Sequence, residues 1–262
     1  MIRALYSAAT GMIAQQFQLD TISNNLANSN TTGFKKSRAD FEDLIYQYLL
    51  EPGAEVQEGT ASPTGIYVGL GTRVVGTSRV TTQGDLITTN NPLDVAIQGE
   101  GFFGVEMPDG TIAYTRAGNL RMREDGRLAT PDGFAIVGVT SIPPEALEIS
   151  ISADGQVSYL LPGETARQEA GQLTAYRFIN PAGLKAVGKN LFAPTTQSGD
   201  PQEGQWSVEG FGKLAQGFLE SSNVSIVEEI LRMIQTQRAY EAASKGIMTA
   251  DEMLGQANSL KR

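Results

Sequence analysis

Proline is confined to the middle of this chain: all eleven prolines lie between Pro52 and Pro201, and both ends are free of it. Proline removes a backbone donor and collides with the preceding helical turn, so its absence leaves the two ends able to form long helices. Apolar residues recur there at seven-residue intervals. Leu5, Met12, Leu19 and Leu26 form one row, and Ile226, Met233, Tyr240, Ile247 and Leu254 form another, with Ile234 beside it. Rows of this period are seams, expected to pack against each other or against further copies of the chain.

The first helix is expected from Ile2 to about Ala27, spanning about 40 Å at the helical rise per residue. The polar run Asn28 to Gly33 should end it, because short polar side chains compete for backbone hydrogen bonds and Gly33 accepts positive φ. The second helix has a capping box, Ser225 with Glu228 three residues later, and runs to about Ser259. Glu228 with Arg232, and Glu241 with Lys245, stand at the favourable i,i+4 spacing. A single chain would cover only the length of the shorter helix, leaving part of the longer one bare.

The middle reads as β structure. Alternation marks strands at Leu93–Gln98, Gly101–Met107, Thr111–Arg116, Leu128–Thr130 and Ala135–Val139, and Pro108-Asp109-Gly110, Asp125-Gly126, Pro131-Asp132-Gly133 and Asp154-Gly155 read as turns between antiparallel strands. No strand alternates with a long helix, which argues against a parallel sheet. Phe41, Leu44, Ile45, Tyr48 and Leu49 are spaced for a short helix before Pro52-Gly53, and residues 54 to 64 have the composition of a polar surface loop.

Composition closes many chemistries. The chain has 262 residues, a formal charge of -9, and neither cysteine nor histidine. Disulfides, the usual zinc ligands, thiol nucleophiles and Ser-His-Asp arrangements are therefore absent. The charge carries no concentrated basic face for a nucleic-acid partner; Lys35, Lys36 and Arg38 are the tight basic cluster and read as solvated surface. No stretch is apolar enough to span a membrane and the N-terminus lacks a secretory apolar run. Gly99-Glu100-Gly101-Phe102-Phe103-Gly104 fits a dinucleotide fingerprint, but strand and turn follow it where a helix N-terminus would have to hold the pyrophosphate. Glu124, Asp125 and Asp132 could pair as glycosidase carboxylates, although aspartate before glycine is more often a turn residue. No cofactor, metal or small-molecule substrate is expected.

Two long motifs carry a resemblance. Residues 23–35, SNNLANSNTTGFK, resemble the N-terminal signature of bacterial flagellar rod and hook proteins, and Ser222-Asn223-Val224 with Met233 to Glu241 and Ser244-Lys245 resembles the closing motif of that axial family. Leu93 to Ile97, Gly101-Phe102-Phe103 and Tyr114 to Asn119 are also similar to it. One departure is Ala242-Ala243, which stand where an asparagine commonly precedes the Ser-Lys pair. Residues 46–63, YQYLLEPGAEVQEGTASP, resemble an insertion that marks the distal rod subunit and is missing from the hook protein, which overrides the plain surface-loop reading.

The resemblance implies an α+β protein in three regions. Residues 1–33 and 225–262 would form a coiled-coil inner domain. Residues 34–72 and 207–224 would be an intermediate region holding the insertion, and 73–206 an outer antiparallel β domain. It implies a structural subunit, not an enzyme, that polymerises into a rigid helical tube, transmits torque and encloses an export channel. The seam residues would line assembly contacts, while Tyr46, Leu49, Pro52, Gly53 and Pro63 would belong to the stiffening segment. Partners would be further copies, other rod subunits, the hook protein and the surrounding P- and L-ring bushing, in a periplasm-spanning rod reached by type III export without signal cleavage. A proximal rod or hook subunit remains the nearer alternative, and a glycan-binding or glycan-cleaving β domain the farther one.

Overall fold

A computed structural model describes residues 2–53, 55–57, 60–61, 63–164, 166–208 and 210–259. Parts of the expected regions lie outside the described residues: Met1 and Leu260–Arg262 of the helical ends, and Ala54, Glu58, Gly59 and Ser62 of segment 46–63. The architecture is α+β, with one helix at each end and an antiparallel β middle. The chain divides into two compact units, one of residues 1–27, 37–78 and 225–262, the other of residues 28–36 and 79–224.

The first unit is built on α1 (Ile2–Ala27) and α2 (Ile226–Ser259), which pack along each other. The end of α1 meets the beginning of α2, where Asn25 bonds Glu229, so the two run antiparallel. Ser225 starts α2 as expected, its Oγ accepting from the Glu228 backbone N–H at 3.5 Å. Arg232 pairs with Glu229, three residues before it, at 3.3 Å. Glu229 is buried, and a desolvated carboxylate gains more from a guanidinium than an exposed one does.

The expected helix around Phe41–Leu49 is instead strand. Ser37–Asp43 pairs with Thr72–Arg79, and Tyr46–Leu50 pairs antiparallel with Ile66–Gly69, setting Tyr48 opposite Tyr67. Cross-strand aromatic contacts decide the matter: Tyr67 lies edge-on to Tyr46 at 5.5 Å between ring centres and 5.8 Å from Tyr48. No local helical pattern supplies a comparable set of partners. Beyond Pro52, Glu55–Gln57 and Thr60–Ala61 form a further short antiparallel pair, so the described part of this segment is not the plain loop its composition suggests.

In the second unit a six-stranded antiparallel sheet runs in the order 185–188, 191–193, 112–115, 102–106, 175–177, 202–204. Alternation sends Phe103, Val105 and Ala113 into the main core around Trp206, Leu120 and Ile142. Phe102, Tyr114 and Tyr176 point the other way, into a smaller aromatic cluster with Phe178 and Phe192. A three-stranded antiparallel sheet, 148–151, 156–160 and 168–172, adds Ile151, Val157 and Tyr159 to the main core. The predicted turns form with positive φ at Gly110, Gly126, Gly133 and Gly155. Ala135–Val139 makes only isolated bridges rather than the expected strand.

Candidate assembly surfaces

The helix pair is closed by small and polar side chains. On α2 the buried residues are Glu229, Thr236 and Ala250, with half-buried Ala243 completing a row at seven-residue intervals; on α1 they are Ala14, Ile22 and Asn25. Small side chains let two helix backbones approach closely, and α1 is the element against which α2 chiefly packs. Asn25 fixes the end of the pair. Its amide donates to the Ser37 carbonyl at 2.8 Å and to Glu229 Oε2 at 3.3 Å, while its carbonyl accepts from the Ser37 N–H at 2.9 Å. One side chain thus joins both helices and the strand at Ser37–Asp43.

The apolar rows flank this interface. Leu5, Met12, Leu19, Leu26, Met233, Ile247 and Leu254 are half-buried, whereas Ile226, Ile234 and Tyr240 are exposed. Further large apolar side chains face outward: Tyr6, Ile13 and Phe17 on α1, and Val227, Ile230, Leu231, Met248 and Met253 on α2. Ile13 is 65% exposed and Val227 70% exposed. The bare surface is therefore not confined to the overhang of the longer helix. It lies on the flank of the paired region, because α2 carries apolar residues around a wider arc than one neighbouring helix can cover.

A second apolar surface lies on the strands of the same unit. Tyr46, Tyr48, Leu49, Ile66 and Tyr67 are all exposed, as is Ile45 at 77%. Pro52, Gly53 and Pro63 are also exposed. At the base of this segment Gly71, with φ of 107°, lies so close to α1 that a Cβ there would meet Thr10 Oγ1 at 2.1 Å. Thr10 Oγ1 also accepts from the Thr72 N–H at 3.4 Å, which seats the strands on α1.

The chemistry-bearing candidates resolve into packing. Gly101 has φ of 143° and lies against the Trp206 ring, where a Cβ would approach to 2.7 Å, while a Cβ on Gly104 would meet the Tyr176 ring at 2.5 Å. Aromatic neighbours thus explain Gly101 and Gly104 of the fingerprint-like run, while a Cβ on Gly99 would stand 3.1 Å from the Gly212 backbone. Asp125 accepts from the Arg127 N–H in its own turn and pairs with Arg123, and Asp132 pairs with Lys189. Among the described residues no group of three or more His, Cys, Asp or Glu could hold a metal ion. No described helix is long and apolar enough to cross a membrane.

Within the basic cluster, Lys35 corrects the solvated-surface reading. It is 4% exposed, bonded to Glu220 at 2.5 Å and to the Thr82 carbonyl at 2.7 Å. Glu220 also accepts from Arg116 Nε at 2.9 Å. Burial, and then the neighbouring Arg116 charge, hold the Lys35 pKa below its ordinary value against the opposing pull of Glu220. The three residues are remote in sequence, so composition around Lys35 carried no sign of its partners. The small-residue row on α2 did have a signal, its seven-residue spacing, but polar Glu229 and Thr236 hide it from a search for apolar periodicity.

Residues 5–35 match the model of a flagella basal body rod protein, 96–159 that of the flagellar hook protein FlgE/F/G D1 domain, and 215–260 that of the flagellar basal body rod FlgEFG protein C-terminal region. The chain is 50% identical to the flagellar basal-body rod protein FlgG of Borreliella burgdorferi, covering 100% of both. It is 43% identical to that of Caulobacter vibrioides over 99% of this chain and 100% of the relative, and 38% identical to that of Bacillus subtilis over 100% of each. With a relative at half identity over its full length and matches at both ends and in the middle, the chain belongs to the FlgG family of flagellar basal-body rod proteins.

Proposed function

We propose that this structural rod subunit polymerises into the rigid helical tube of the distal rod, which transmits torque from motor to hook and encloses the export channel. The observation that carries the reading is the row of exposed apolar side chains on α1 and α2, which one chain leaves uncovered. Contiguous apolar surface in a soluble chain marks an interaction face. Further copies supply the cover, and a contact that repeats without closing into a ring generates a helical polymer. The helices join as a coiled coil along the tube's inner wall, the region around segment 46–63 lies outside them, and the β domain lies outermost.

Segment 46–63 stiffens the tube by bridging neighbouring copies. Its support is the exposed cluster of Tyr46, Tyr48, Leu49 and Tyr67. Other rod subunits and the hook protein adjoin the two ends of the polymer, and the P- and L-ring bushing surrounds it in the periplasm. Export proceeds through the type III apparatus in unfolded form, to which a chain without cysteine is suited.

Electron microscopy of the concentrated purified chain, nucleated with preceding rod subunits, tests the reading. Straight tubes are the expected result. A chain that stays monomeric in the presence of such nuclei overturns it.

A further inference from the structure

The second unit contains a pocket whose charge runs against that of the rest of the chain. It encloses about 240 Å³, and its walls present four cations, Lys35, Arg79, Arg116 and Arg177, against one carboxylate, Glu100. Lys35 and Arg116 are neutralised from behind by Glu220. Arg79 and Arg177 have no carboxylate partner among the described residues. The Arg79 guanidinium instead lies 4.6 Å from the centre of the Phe192 ring, and Arg177 stacks 5.7 Å from Phe211 and bonds only the neutral side chain of Gln202. Burial lowers the Arg79 pKa from its ordinary value.

Two guanidiniums at one partly desolvated cavity, without a carboxylate partner among the described residues, call for an anion, because a planar guanidinium presents paired donors that match a carboxylate. The remaining wall is apolar, with Phe102, Phe192, Leu184 and Pro181. It suits a carboxylate carried on a hydrocarbon stem better than a free, fully hydrated anion. Acidic side chains are what another copy offers, since 29 acidic residues against 20 basic ones give the chain its charge of -9. We propose that this pocket binds an acidic side chain presented by a second copy of the chain. The inference rests on the polymer reading and adds a polar, charge-selective contact to its apolar ones.

The test uses zero-length carbodiimide coupling in polymers assembled from full-length Arg79→Lys, mixed as isotopically light and heavy copies. Arg177→Lys serves as the second variant, and unchanged Trp206 fluorescence shows that each monomer is folded. The expected result is an amide joining position 79 or 177 to an acidic residue of another copy, identified by mixed-isotope peptides. Charge removal by Arg79→Gln is expected to raise the concentration needed for polymerisation at least tenfold, while Arg79→Lys preserves it. Polymers without any inter-copy amide at either position overturn the pocket proposal and leave the polymer reading standing. Saturable shifts of the arginine side-chain NMR signals on adding acetate or inorganic phosphate to the monomer, without inter-copy coupling, assign the pocket to small anions and also overturn it. Failure of the wild-type chain to polymerise removes the reading on which the inference rests.

Discussion

Lys35 and Glu220, 185 residues apart in sequence, form a nearly fully buried ion pair at 2.5 Å. Arg116 shares the same carboxylate, and Gly84 donates its backbone N–H to it at 3.0 Å. The motif segment ending at Lys35 is thereby tied to the strand Phe218–Glu220 that precedes α2. Taking three charges out of water is costly, but the carboxylate is shared and each cation also reaches a backbone carbonyl.

Removing the shared carboxylate is expected to be severe. Glu220→Gln leaves two buried cations without a charge partner, costing about 3–5 kcal/mol of stability. Urea unfolding followed by Trp206 fluorescence, in the second unit, measures this. A loss below about 1 kcal/mol would show that solvent reaches the site.

The same cluster sets an alkaline pH dependence. Because the folded Lys35 pKa lies below 10.5, the unfolded chain binds more protons between the two values, and stability from this group rises with pH across that window. Tyr176 acts in the opposite sense. Burial pushes its phenol up to about 12, so its contribution is present below 10 and is lost as pH rises toward 12. NMR titration of the lysine side chains and tyrosinate absorbance check both; Lys35 titrating with the exposed lysines would contradict the burial argument.

Asn25→Ala removes the group that joins α1, α2 and the strand at Ser37, and leaves the buried Glu229 short of a donor. A destabilisation of at least about 2 kcal/mol is expected, since each buried polar group left unpaired costs about 1–3 kcal/mol. Hydrogen exchange at the end of α1 and the start of α2 reads the loss locally.

Exposed apolar residues on α2 should behave in the opposite manner. Val227→Ser and Leu231→Ser are expected to change monomer stability by no more than about 0.5 kcal/mol, as substitutions at exposed sites do. Polymerisation, followed by light scattering, should fail. Normal assembly by the double variant would remove the apolar flank from the interface.

Deleting residues 46–63 tests the stiffening segment. Straight polymers should become curved in electron micrographs while the Trp206 unfolding transition of the second unit stays where it was. Unchanged curvature would detach rigidity from this segment.

The helices and the turns could be read directly from the chain, because each is decided locally. Proline-free apolar periodicity marked α1 and α2, Ser225 marked the start of the second, and Gly110, Gly126, Gly133 and Gly155 marked tight turns through their need for positive φ. The strands at Ser37–Asp43 and Tyr46–Leu50 were missed, since Phe41, Ile45 and Leu49 are also compatible with a helix and only pairing with Ile66–Gly69 and Thr72–Arg79 chooses between the two.

The sequence by itself determined the two helical ends, the antiparallel middle and, through the motifs at residues 23–35 and 222–245, the rod-protein family. Only the tertiary structure decided which stripe of each helix is spent inside one chain. The small and polar row Glu229, Thr236, Ala243 and Ala250 faces inward, leaving Val227, Ile230 and Leu231 exposed. Periodicity counts apolar side chains, whereas close helix approach selects small ones. Tertiary structure likewise placed Lys35 beside Glu220, because burial and charge pairing depend on residues far apart in sequence, which no local pattern records.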